Sequence, residues 1–73
     1  MAELRQWTIY DHPDDWPDWF VVREFKITPE GIVPSPVATL APDLEAARAI
    51  IPPGFYCLGR AESDDPCIAE VWI

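Results

Sequence analysis

The sequence predicts an α+β fold: a small, mostly antiparallel sheet of four to five strands with one short helix packed on one face, in the order β-β-β-α-β-β. Three observations predict it. Apolar, β-rich stretches recur near 4–10, 19–28, 32–40, 55–60 and 67–73, each short and bounded by Pro, Gly or Asp. One stretch alone, 44–51, carries helical spacing. The chain has 73 residues, enough for one domain and one thin core, because a chain of about 60 residues buries only about 60% of the surface its unfolded form exposes.

Leu4 to Tyr10 reads as the first strand, with Trp7 and Ile9 on one face and Thr8 and Tyr10 on the other. Asp11 to Asp18 holds two prolines and four aspartates, which forbids a regular element, so it is a loop. Trp19 to Thr28 reads as the longest strand. Thr28-Pro29-Glu30-Gly31 is a tight turn, with Pro at the second position and Gly at the fourth. Ile32-Val33 starts a returning strand that Pro34 and Pro36 interrupt and Val37 to Leu40 resumes. Such a strand belongs at an edge, because proline cannot donate to a ladder.

Asp43 is the expected N-cap of a two-turn helix, with Pro42 as the alternative start. Leu44, Ala47, Ile50 and Ile51 share its apolar face, Glu45 and Arg48 can pair on the outside, and Pro52-Pro53-Gly54 stops it. A helix this short holds only by packing on the sheet. Phe55 to Arg60 and Cys67 to Ile73 are the last two strands, joined by the polar loop Ala61 to Pro66. The expected core is Trp7, Ile9, Val21, Phe25, Leu44, Ile50, Phe55, Ile68 and Trp72, with Trp19 also inside.

Composition excludes several function classes. The formal charge is −8, from 13 acidic and 5 basic residues. That opposes binding to nucleic acid, which depends on Lys and Arg neutralising phosphates, and to an anionic membrane. No apolar run reaches a membrane span, and the first residues show no secretory signal, so a cytoplasmic location is expected. Cys57 and Cys67 match no zinc-ligand spacing and are expected to be reduced and packed, with a disulfide across the hairpin as the alternative. No cofactor is expected, since the three glycines form no phosphate-binding loop.

Three stretches stand together: Tyr10-Asp11-His12-Pro13; Leu44-Glu45-Ala46-Ala47-Arg48 leading to Pro52-Pro53-Gly54-Phe55-Tyr56; and Asp64-Asp65-Pro66 leading to Glu70-Val71-Trp72-Ile73. On these the chain resembles a set of short uncharacterised bacterial or phage proteins, a domain of unknown function. The resemblance implies a single domain of full natural length and no particular chemistry.

The densest polar cluster is Asp11-His12 with Asp14, Asp15 and Asp18. A carboxylate beside an imidazole can orient it as a base, but no serine lies in a nucleophile motif. Clustered carboxylates also suit a hard cation, yet the spacing lacks the glycine and final glutamate of an EF-hand. The preferred reading is a proline-stiffened loop whose aspartates accept backbone N–H bonds. Trp16, between Asp15 and Pro17, is placed between core and surface; exposed, it is the best contact residue in the chain. Glu62, Asp64 and Asp65 form a second acidic loop. If each element reverses direction, the two acidic loops share one end of the sheet.

These observations favour a small, acidic, non-catalytic binding domain whose partner is a protein or a second copy, with Asp14, Asp15, Trp16, Asp64 and Asp65 as the contact residues. One alternative is a phage-type acidic inhibitor or DNA mimic, marked by an unbroken negative surface. Another is a small metal-dependent or hydrolytic enzyme, marked by a pocket holding His12 against two carboxylates.

Overall fold

The computed structural model of the chain describes residues 4–59 and 67–73. The elements follow the expected order: β1 (Leu4–Asp11), β2 (Phe20–Thr28), β3 (Gly31–Ala41), α1 (Leu44–Ile50), β4 (Cys57–Gly59) and β5 (Ile68–Trp72). The five strands form one antiparallel sheet with spatial order β3-β2-β1-β5-β4. β1 is central, and β3 and β4 are the edges. From the β3 edge the chain crosses one face through α1 and residues 51–56 to reach the β4 edge.

The turn after β2 forms as expected: Gly31 has φ +138, and the Thr28 hydroxyl donates to its carbonyl at 2.8 Å. β3 is an edge strand, and its two prolines sit at an irregularity. Phe25 faces Pro34 and Arg23 faces Ala38, so 35–37 bulge outward, with Val37 N–H bound to the Ser35 hydroxyl at 3.2 Å. A bulged, proline-bearing edge resists pairing with another sheet.

Asp43 caps α1 by accepting the Ala46 N–H at 2.7 Å. Leu44, Ala47, Ile50 and Ile51 face the sheet as expected. Arg48 does not pair with Glu45 as its spacing suggests. It reaches Glu70 on β5 instead, donating from Nε at 2.9 Å and from its terminal nitrogen to the other carboxylate oxygen. A fork-to-fork pair with a buried carboxylate is a stronger hydrogen-bonding arrangement than an exposed i, i+3 contact.

The expected core needs correction: Trp19 is exposed, and the remaining set mixes two faces. The register places Trp7, Ile9, Phe20, Val22, Ala41 and Trp72 on the helix-covered face. Val21, Phe25 and Ile68 point to the opposite face with Thr8 and Tyr10. Under the helix the buried cluster is Ile9, Val22, Ala41, Ala47 and Ile51, with Trp7, Leu44, Ile50, Phe55 and Trp72 packed against it. Val21 is nonetheless only 4% exposed. Val21 lies beside Pro13 and Trp16 of the segment between β1 and β2, and its burial says nothing about the helix.

The fourth strand is shorter than expected, Cys57–Gly59 rather than Phe55 to Arg60, and Arg60 lies outside the described residues. Tyr56 still exchanges backbone bonds with Ile73, at 2.6 and 2.9 Å. Phe55 turns inward and sets its ring edge-on to Trp7, at 6.1 Å between centroids. Cys57 is exposed rather than packed, because its side chain lies at an uncovered edge. Cys57 pairs with Trp72, whereas Cys67 lies at the far end of β5, so no disulfide joins them. Among the described residues no helix is long and apolar enough to cross a membrane.

Candidate functional site

The segment 12–19 between β1 and β2 folds back on itself by main-chain bonds alone. His12 opens it in the left-handed region, φ +46, a conformation that costs an ordinary side chain strain but that histidine adopts more often than most. Trp16 N–H donates to Pro13 at 2.9 Å, Trp19 N–H to Trp16 at 3.1 Å, and His12 N–H to Trp19 at 3.2 Å. These bonds close the loop without its carboxylates. Asp14, Asp15 and Asp18 are exposed, and the Asx-turn bonds expected of them are not what shapes the segment.

The imidazole of His12 is bound to the adjacent Asp11 carboxylate and lies edge-on to Phe20 at 4.9 Å. Among the described residues it thus faces one carboxylate, at the surface. Among the described residues no group of three His, Cys, Asp or Glu could hold a metal ion.

Trp16 is 46% exposed and Trp19 40% exposed. For Trp19 this corrects the expected burial: its main chain closes the loop at both ends, and Phe20, one residue later, takes the place over the core. Trp16 leans over the sheet face that the helix leaves uncovered. With Tyr10, Pro13, Asp15, Val21 and Arg23 it lines an open hollow of about 120 Å³. No feature of the sequence pointed to Arg23. Only the register, which sets it beside Val21 on the loop side of the sheet, brings it there.

The second acidic loop leaves the described chain at Gly59 and re-enters at Cys67; Asp64 and Asp65 lie outside the described residues. Its return point is nonetheless at the same end of the sheet as loop 12–19, because Asp11 N–H donates to the Cys67 carbonyl at 2.6 Å.

The other polar constellation is structural. Glu70 is a buried carboxylate in a mostly apolar face. It accepts from Arg48 and from Trp72 Nε1, the latter at 3.3 Å. It thereby ties the helix to the last strand. The Arg48 bonds hold its pKa below the usual carboxylate range, against the opposing effect of burial. A depressed folded-state pKa means stabilisation that is fully present above the unfolded value, about 4.3, and lost as pH falls through the lower folded value. Glu70→Gln is therefore expected to lower the thermal midpoint at neutral pH. Its midpoint should converge on that of the wild type as the pH drops below the ordinary carboxylate range. A constant gap between the two melting curves from pH 7 to pH 2 would contradict this.

No family model, curated protein or solved structure matches the chain.

Proposed function

We propose that this chain is a small, non-catalytic, cytoplasmic binding domain that engages a protein partner through the end of the sheet carrying loop 12–19. Trp16 is the apolar anchor, the exposed Asp14 and Asp15 next to it in sequence supply negative charge, and Asp64 and Asp65, which lie outside the described residues, are further contact residues of the proposal. The observation that carries this is Trp16 itself: a large indole nearly half exposed, on a loop whose main chain is already tied down by three internal bonds. An anchor ordered before binding loses little entropy on binding, and tryptophan dominates binding hot spots.

The exposed apolar residues Trp16, Trp19, Val33, Val37, Tyr56 and Leu58 favour a protein partner over the acidic-mimic alternative, which calls for an unbroken negative surface. His12 at the surface, against one carboxylate, gives no support to the hydrolytic alternative. The carboxylates speed encounter with a basic partner and add salt dependence.

The partner is first captured by affinity pull-down from the native host and identified by mass spectrometry. Trp16→Ala is then expected to weaken that complex by about 30-fold, the loss of ~2 kcal/mol that defines a hot spot. Adding Asp64→Asn and Asp65→Asn should flatten the dependence of affinity on salt. A folded Trp16→Ala protein with wild-type affinity would refute the proposal.

A further inference from the structure

The register sorts charge between the two faces of the sheet. Asp11, Glu24 and Glu70, the carboxylates of the described strands, stand opposite Phe20, Trp7 and Ile9 on the helix side. Arg23, opposite Thr8, is the one charged residue that these strands place on the other side. That side is otherwise largely apolar. One row crosses all five strands: Pro34, Phe25 and Gln6 lie opposite one another, and Ile73 and Tyr56, next in sequence to Trp72 and Cys57 of the helix side, continue it. Leu4, Ile27 and Ile32 form the next row, at the end away from loop 12–19. Leu4, Ile32, Tyr56 and Ile73 are exposed. Loop 12–19 reaches over the opposite end, where Trp16 lines the hollow with Tyr10 and Val21. A contiguous apolar surface of several hundred Å² on a small protein marks a contact site.

We infer that this face is where two copies of the chain meet, sheet against sheet, in a two-fold dimer. The inference goes beyond the loop 12–19 reading and does not depend on it. Charge selects the occupant. A chain of formal charge −8 attracts basic partners, but on this face a basic partner meets Arg23 and finds no carboxylate of the described strands. Two copies repel each other over most of their surface and least here, because each turns those strand carboxylates away. Sheets packed face to face keep their strands within about 30° of one another. A two-fold axis running across the strands at the Gln6 row turns the second copy end for end. Each loop 12–19, with its exposed Asp14, Asp15 and Asp18, then lies beyond the Leu4 end of the other copy and not against its twin. The two Arg23 side chains fall on opposite sides of the axis.

Size sets the strength. With strands about 4.8 Å apart and same-face residues about 6.8 Å apart, a face five strands wide and about three residues long covers roughly 500 Å² on each copy. The pair buries roughly 1,000 Å², the lower limit of a specific interface, so the dimer is weak and reversible.

Sedimentation equilibrium of the whole chain from about 10 µM to about 1 mM reads this directly, the range suited to so small an interface. The average mass is expected to climb from that of one chain toward that of two. Raising the salt from low to physiological levels should tighten the dimer by screening the repulsion between copies. Ile32→Lys combined with Tyr56→Lys, both at positions exposed in the single chain, should weaken it by about tenfold or more, because the contact would desolvate the added ammonium groups. It should do so although it lowers the negative charge of each copy. Val33→Lys is the control: Val33 is 51% exposed against 61% for its neighbour Ile32, but it lies opposite Lys26 on the helix side. It should associate like the wild type or slightly more tightly. Thermal melting first shows that each variant is folded. The mass of a single chain throughout the range overturns the dimer, and so does a dimer that loosens as salt rises, since ion pairs would then hold it. Equal weakening by the face variant and the control overturns the assignment to this face. The Trp16→Ala complex judges the loop 12–19 reading separately, so either can fail alone.

Discussion

Ile9→Ala is expected to bring this protein close to its unfolding limit. Ile9 is fully buried on the central strand and is one of the two largest side chains wholly removed from water. It lies opposite Val22 on β2 and Glu70 on β5 and packs in the cluster under α1. Truncating a buried isoleucine to alanine costs about 2–5 kcal/mol, and the cost is greatest where the surroundings cannot collapse into the gap. Here they are held by strands on both sides and the helix above. A chain of 73 residues has a net stability of roughly 4–11 kcal/mol at about 0.05–0.15 kcal/mol per residue. Losing ~3 kcal/mol lowers the midpoint by about 12–24 °C at this size. Ile9→Val, which removes one methyl group, should cost only about 0.5–1.5 kcal/mol. Thermal denaturation of the two variants checks this; equal midpoints would mean that the site is not packed as described.

The sequence made element type and order legible, for reasons that are local. Pro13 and Pro17 end β1, Pro29 and Gly31 shape the turn, and Asp43 caps the helix; each acts within a few residues of itself. Placement on the edge was also legible for β3, because Pro34 and Pro36 cannot serve an interior ladder. What could not be read depends on partners distant in sequence. Which of Val21 and Val22 faces the helix depends on the pairing with Tyr10 and Ile9, and a one-residue slip exchanges the faces. Arg48 has an acidic neighbour three residues away in Glu45, yet it takes Glu70, because β5 lies beside β1.

The candidate site divides in the same way. Trp16 and its aspartates stand out from composition alone, since a tryptophan among carboxylates and prolines in a loop has no strand or helix face to join. Arg23 did not stand out, because a base in a strand that also carries Glu24 and Lys26 looks like an outward-facing residue. Only the fold sets it in the hollow that it lines with Trp16.

Trp72→Ala is expected to cost about as much as Ile9→Ala, by a different route. Trp72 lies opposite Trp7 on β1 and Cys57 on β4, so its strand joins the central strand to the edge. Its ring packs on the core cluster, and its Nε1–H donates to Glu70 at 3.3 Å. Truncation of a buried tryptophan costs about 3–5 kcal/mol; Trp72 is only partly buried, which places the loss near ~3 kcal/mol. Trp72→Phe separates the two contributions. It keeps most of the ring and removes the indole donor, leaving Glu70 with its Arg48 bonds. A single hydrogen bond contributes about 0.5–1.5 kcal/mol, and bonds to charged groups somewhat more. The Phe variant should therefore melt well above the Ala variant and slightly below the wild type. The expected order of midpoints is wild type, Phe, Ala, with the larger step between Phe and Ala. If the larger step instead falls between wild type and Phe, the hydrogen bond to Glu70, and not the packing of the ring against the core, holds the last strand in the sheet.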